Sequence, residues 1–237
     1  MTEDIPMTPE NQKLLDSIKG KLIVSCQARP GEPLRDSKIM GAMALSAKWG
    51  GASAIRANTV PDVIAIKEST GLPILGIIKR DYDDSEVYIT PTMKEVDELV
   101  EVGCEIIAVD ATDRLRPEGV TFTEFFTAVR AKYPNQLFMA DAATYEEGKL
   151  AFELGCDLIG TTMRSYTKAT EGCIIPDFDL ISKLANELGA TVIAEGGIWE
   201  PWQLKKALDS GAHAAVVGTA ITRPHEITKR FINAITE

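Results

Sequence analysis

Lys21-Leu-Ile-Val-Ser-Cys-Gln27, Pro73-Ile-Leu-Gly-Ile-Ile-Lys79, Leu137-Phe-Met-Ala-Asp141 and Val192-Ile-Ala-Glu195-Gly-Gly197 are four short apolar runs, each closed by one polar group. The closing groups, Gln27, Lys79, Asp141 and Glu195, stand about two strand-plus-helix units apart. Four further apolar segments lie between and after them: Ala52-Ser-Ala-Ile-Arg56, Ile106-Ile-Ala-Val-Asp110, Asp157-Leu-Ile-Gly-Thr161 and Ala214-Ala-Val-Val-Gly218. Three of these follow a Gly-Cys or Gly-Ala pair at Gly103, Gly155 and Gly211, and Ala52 follows Gly51. The pattern predicts eight parallel strands, each followed by enough chain for a helix. Eight such units close into a (β/α)8 TIM barrel, whose inward side chains come in layers from alternate strands. The four polar groups end the odd-numbered strands, so one ring of them is expected at the C-terminal mouth, where an active site would sit.

Length and composition suit that fold. The chain has 237 residues, 45% of them hydrophobic, which fits one barrel domain spanning residues 1–237. No apolar run reaches the 18 or so residues of a membrane span, so no membrane partner is expected. The acidic start, with Glu3, Asp4, Glu10 and Asp16, does not resemble a secretory signal. A net charge of −10 argues against a nucleic-acid partner. Cys26, Cys104, Cys156 and Cys173 lack metal-type pairing and three lie in or beside predicted strands, which predicts reduced thiols and a cytoplasmic protein.

Helical spacing predicts helices at Ser37–Trp49, Val60–Ser69, Met93–Val102, Thr123–Lys132, Tyr145–Leu154, Asp177–Leu188 and Pro201–Ser210. A short amphipathic helix over Thr8–Lys19 is expected to close the barrel bottom. Thr8 would cap it and Pro9 would occupy its first position, with Gly20 ending it. Two long segments at the mouth, Ala28–Asp36 and Arg164–Pro176, are expected to cover a substrate.

The chemistry gathers at strand ends. Gly196 and Gly197 close strand seven, and Gly218 and Thr219 close strand eight. These are the turns between which such barrels hold phosphate, with Arg223 following closely. Lys79 either snorkels to solvent or enters the mouth as a base or Schiff-base amine, and its alignment with the other three polar groups favours the mouth. Strands three and seven lie opposite each other, so Lys79 and Glu195 could flank a carbon on two faces, as inversion requires. Arg56 and Arg164, after strands two and six, are equally readable as contacts to substrate oxygens or as surface ion pairs. Asp110, Asp113 and Arg114 suit a structural pair. His213 falls at the barrel bottom and His225 has no second histidine beside it, so no metal site is expected.

Several longer motifs resemble those of the N-acetylmannosamine-6-phosphate 2-epimerase family: Ser25-Cys-Gln-Ala, Ile55-Arg-Ala-Asn, Gly76-Ile-Ile-Lys-Arg-Asp, Tyr88-Ile-Thr-Pro-Thr, Met139-Ala-Asp, Gly160-Thr-Thr-Met, Ile193-Ala-Glu-Gly and Val217-Gly-Thr-Ala-Ile-Thr-Arg-Pro. The resemblance runs from Leu22 to Ile235. It implies Lys79 and Glu195 as the catalytic pair, with Gln27, Arg56, Asp141 and Arg164 around the sugar. It also implies Gly196, Gly218 and Arg223 near the phosphate. At position 197 the family varies and this chain has glycine, so only a backbone contact is available there. The implied reaction interconverts N-acetylmannosamine 6-phosphate and N-acetylglucosamine 6-phosphate through the C2 proton, with no cofactor and a homodimer conceivable through terminal helices. The competing readings are a ribulose-phosphate-type 3-epimerase, whose metal would need better-placed histidines, and a non-catalytic phosphosugar-binding barrel.

Overall fold

The computed structural model describes residues 7–236; Glu3 and Asp4 lie outside them. Eight parallel strands close on themselves in sequence order: β1 Leu22–Cys26, β2 Ala54–Asn58, β3 Ile74–Ile77, β4 Ile106–Asp110, β5 Leu137–Asp141, β6 Leu158–Gly160, β7 Val192–Glu195 and β8 Ala214–Val217, with β8 pairing back onto β1. Between them run α2 Ser37–Trp49, α3 Val60–Thr70, α4 Met93–Glu101, α5 Phe122–Lys132, α6 Tyr145–Glu153, α7 Phe178–Ser182 and α8 Pro201–Asp209. The expected (β/α)8 barrel is the fold.

Alternation within each strand sorts the core into two. Outward residues such as Val24, Ile55, Ile107, Phe138 and Ile159 pack under the helices. Inward residues such as Ile23, Leu75, Ile106, Leu137, Leu158 and Ile193 fill the barrel. The floor is α1 Pro9–Ile18, capped by Thr8 with proline in its first turn, and its Leu15 and Ile18 are buried against the interior. His213 Nε2 bonds the Leu15 carbonyl at 2.8 Å, tying that helix down. The bottom placement read for His213 is therefore structural.

The helix starts follow from local chemistry. Thr92, Thr121 and Thr144 each take part in a capping box with a glutamate three residues on, fixing where α4, α5 and α6 begin. Two boundaries differ from expectation. The helix expected over Asp177–Leu188 is α-helical only to Ser182 and then widens into a π-type turn at Lys183–Glu187. Strand β2 does not end at Arg56 but runs on to Asn58. A charged residue reads as a strand end, whereas here the arginine is swallowed by the barrel. The chain finishes with a short α9 Thr219–Thr222 and a longer α10 Pro224–Thr236. Among the described residues no helix is long and apolar enough to cross a membrane.

Candidate active site

The inward row changes character toward the mouth. Above Ile23, Leu75 and Leu137 come Arg56, Asp141 and Glu195, three ionisable groups inside a barrel. Arg56 is only 1% exposed. It cannot stand there unpaired, since an isolated buried charge costs several kcal/mol or more. Its guanidinium donates to both oxygens of Asp141, at 2.5 and 3.2 Å, and through Nη1 to Glu195 Oε2. Thr162 completes the knot, donating to Asp141 Oδ1 at 2.6 Å and lying 3.2 Å from Glu195 Oε2. Gly160 makes room: a Cβ there would meet Asp141 Oδ1 at 3.1 Å, the Thr162 hydroxyl at 3.0 Å and the Met139 methyl at 2.2 Å. The surface ion pair open for Arg56 on sequence is thus a buried one beneath the mouth.

Above this knot lies a cavity of about 460 Å³, lined among others by Gln27, Arg56, Lys79, Glu195, Gly218 and Arg223. A second cavity of about 670 Å³ adjoins it, sharing Gln27, Arg29, Lys79 and Tyr88. Glu195 is the last residue of β7, and its backbone N–H and carbonyl are both bonded to the Thr161 hydroxyl, at 3.1 and 2.9 Å. Burial pushes its carboxyl above the ordinary range and Asp141 adds to this, with Arg56, Thr162 and Lys79 opposing.

Lys79 lies two residues past β3. Its N–H donates to Asn58 Oδ1 at 2.8 Å, and it pairs antiparallel with Ile89, where the chain returns after a loop. Thr90 holds that return, its N–H bonding Ile78 O at 2.8 Å. Among the described residues no acceptor bonds the Lys79 ammonium. Burial, with the Arg56 and Arg29 cations nearby, brings its pKa down to about 8 against the upward pull of Glu195 and Asp141. Desolvation wins that balance.

Gln27 follows β1. Its Nε2 donates to Ser25 Oγ at 2.9 Å, while its Oε1 is buried without a partner, an acceptor available to a ligand. Gly196 and Gly197 both have positive φ, 110° and 70°, which a side chain rarely tolerates. At Gly197 a Cβ would also strike the Ile175 backbone at 2.6 Å, so this glycine lets the 164–176 loop close over β7. Gly218 and Thr219 line the same corner, where α9 begins with amides of Thr219 and Ala220 that no backbone carbonyl accepts among the described residues. Arg223 lines it too, and its Nη2 is engaged by Glu32.

Two expected sugar contacts sit elsewhere. Asp141 is fully buried and meets the cavity only through Arg56 and Thr162. Arg164 is not on the cavity wall; it pairs with Asp177 Oδ2 at 2.9 Å and reaches Ala143 O at 3.3 Å. Asp110 and Arg114 form the structural pair expected, at 2.6 Å. Sequence reading did not single out Arg29, Tyr88, Thr162 or Asn58. Asn58, Tyr88 and Thr162 lay inside quoted motifs, but nothing in a lone amide or hydroxyl marks its direction. Among the described residues no group of three or more His, Cys, Asp or Glu is arranged to hold a metal. Burial pushes the Cys26 and Cys104 thiols up to about 12, which makes them inert core residues.

A family model described as "Putative N-acetylmannosamine-6-phosphate epimerase" matches residues 40–237. The chain belongs to the N-acetylmannosamine-6-phosphate epimerase family. Relatives carrying the matching 2-epimerase name include one from Clostridium perfringens strain 13, 55% identical over 94% of this chain and all of its own length. Another, from Caldanaerobacter subterraneus, is 50% identical over 94% of both chains. The solved structure of the N-acetylmannosamine-6-phosphate 2-epimerase from Clostridium perfringens superposes with a TM-score of 0.88 at 55% identity, covering 93% of this chain and 96% of that one. The thiamine phosphate pyrophosphorylase of Pyrococcus furiosus, 17% identical with a TM-score of 0.58, shares the fold alone. The family read from the sequence motifs is therefore the family found, and its members carry an epimerase name.

Proposed function

We propose that this chain is an isomerase that interconverts N-acetylmannosamine 6-phosphate and N-acetylglucosamine 6-phosphate. The observation that carries the reading is Lys79: a half-buried amine on the cavity wall with its pKa near 8 and, among the described residues, no acceptor, across the mouth from a carboxyl with a raised pKa. In the open-chain sugar the C1 carbonyl acidifies the C2 hydrogen. A neutral Lys79 removes that hydrogen from one face; its pKa leaves about a tenth of the amines neutral at pH 7 and half at pH 8. Electron density moves from C2 toward the C1 oxygen, where the Arg29 and Arg56 cations lining the cavity favour the developing charge. Glu195 returns a proton on the opposite face or assists ring opening. Asp141 and Thr162 hold Arg56 and Glu195 in register without meeting the sugar.

The 6-phosphate is assigned to the corner made by Gly196, Gly197, Gly218, Thr219 and Arg223, where unpaired amides, a helix start and a guanidinium converge. Gln27 then faces the sugar with its free Oε1. Arg164 takes the role of a loop anchor on Asp177. The test is proton NMR of N-acetylmannosamine 6-phosphate with the protein in deuterated water. Formation of the N-acetylglucosamine epimer with deuterium at C2 is expected. Persistence of the starting sugar with its C2 hydrogen unexchanged defeats the assignment.

We also propose that the chain pairs with a second copy through α10. Its Phe231 and Ile235 are 73% and 80% exposed, and no residue of the helix is buried. Light scattering should report a dimer that Phe231→Ser together with Ile235→Ser reduces to a monomer; a wild-type monomer overturns this.

A further inference from the structure

The corner assigned to phosphate already contains an anion. Glu32, in the loop between β1 and α2, accepts a hydrogen bond from Arg223 Nη2, and the two side chains are only 15% and 22% exposed. His225 Nε2 lies 4.0 Å from the same carboxylate oxygen and 3.4 Å from Glu226 Oε1. Arg223 and Glu226 line the substrate cavity beside Gly218 and Thr219, whereas Glu32 grips the guanidinium from the loop side. A guanidinium binds phosphate best through two parallel N–H groups, and one of the forks of Arg223 is occupied. A dianionic phosphate and a carboxylate on one guanidinium repel each other at close range.

We propose that Glu32 is a resident stand-in for the substrate's phosphate, expelled from Arg223 when a phosphorylated sugar binds. The proposal rests on the phosphate corner assigned above. Its consequence is specificity with a mechanical link. Glu32 is tied to its own loop by local turn bonds, Glu32 N to Arg29 O and Arg35 N to Glu32 O, both at 3.1 Å. That same loop carries Arg29, which lines both cavities beside Lys79. Releasing Glu32 therefore frees the segment that presents a cation to the reacting end of the sugar. A sugar without phosphate leaves the ion pair intact and the loop where it is.

The experiment compares wild type, Glu32→Gln and Arg223→Ala, titrating each with inorganic phosphate by calorimetry and with unphosphorylated N-acetylmannosamine as a control. Removing the competing carboxylate should tighten inorganic phosphate by roughly three- to fivefold, the scale of a partly exposed ion pair. Affinity for the unphosphorylated sugar should not move, and Arg223→Ala should lose phosphate binding. If Arg223→Ala loses phosphate while Glu32→Gln binds it no better or more weakly, Glu32 positions the arginine and the stand-in proposal is overturned. If Arg223→Ala binds phosphate as wild type does, the phosphate corner itself is wrongly assigned and the proposal goes with it.

Discussion

The lower and upper halves of the barrel interior are built from the same strands and by opposite chemistry. Below, Ile23, Leu75, Ile106, Leu137 and Leu158 meet the floor helix through Leu15 and Ile18, and dispersion with apolar burial holds them. Above, Arg56, Asp141, Thr162 and Glu195 form a hydrogen-bonded knot, two to four residues farther along the chain than the barrel-filling Ala54, Leu137, Leu158 and Ile193. The lower half tolerates loss of shape by degrees. The upper half does not, because taking away one member strands a buried charge. The barrel thus places apolar packing at one end and pre-arranged charge at the other.

Four substitutions break or sharpen that contrast. Lys79→Ala should cost the most function: about 10²–10⁴-fold in kcat, together with loss of C2 hydrogen exchange, since a general base contributes on that scale. Near-wild-type turnover in a steady-state assay would remove Lys79 from the chemistry. Arg56→Ala should be the most damaging to folding, by about 3–5 kcal/mol in denaturant titration, because Asp141 and Glu195 are left facing each other. A loss under 1 kcal/mol would mean the knot is balanced some other way. At the opposite end, Leu15→Ala should cost about 2–3 kcal/mol of stability and leave kcat unchanged. A parallel fall in kcat would show that the two halves are not separable.

The smallest effect is electrostatic. If neutral Lys79 is the base, kcat/KM should rise with pH through about 8. Glu195 raises the Lys79 pKa, so neutralising it in Glu195→Gln should move the residual rise to lower pH. A shift to higher pH contradicts the pairing of these two groups.

Much of this was legible because barrels repeat. Apolar runs with a polar terminus at regular intervals fix the strand count, the direction and the mouth, and Gln27, Lys79 and Glu195 do line it. What sequence could not reveal is depth. Arg56 reads as the end of a strand because arginine is rarely buried, yet β2 continues past it to Asn58. Asp141 and Glu195 look alike as carboxylates at strand ends, but only Glu195 reaches the cavity. Arg164 looked equivalent to Arg56, and its pairing with Asp177 depends on a loop path that no periodicity encodes. Thr162 was invisible as a single hydroxyl, and its role exists only once Gly160 lets it approach Asp141.

Lys79 hangs outside the staves of the barrel, fixed by Asn58 and by the returning chain at Ile89 and Thr90. The Lys79 amine is therefore aimed by a local excursion of the chain rather than by the ladder that holds the fold. Sequence change within that excursion can redirect the amine while the hydrogen-bonded cylinder keeps its register. Natural variation thus has a place to adjust reactivity that is largely uncoupled from the capacity to fold.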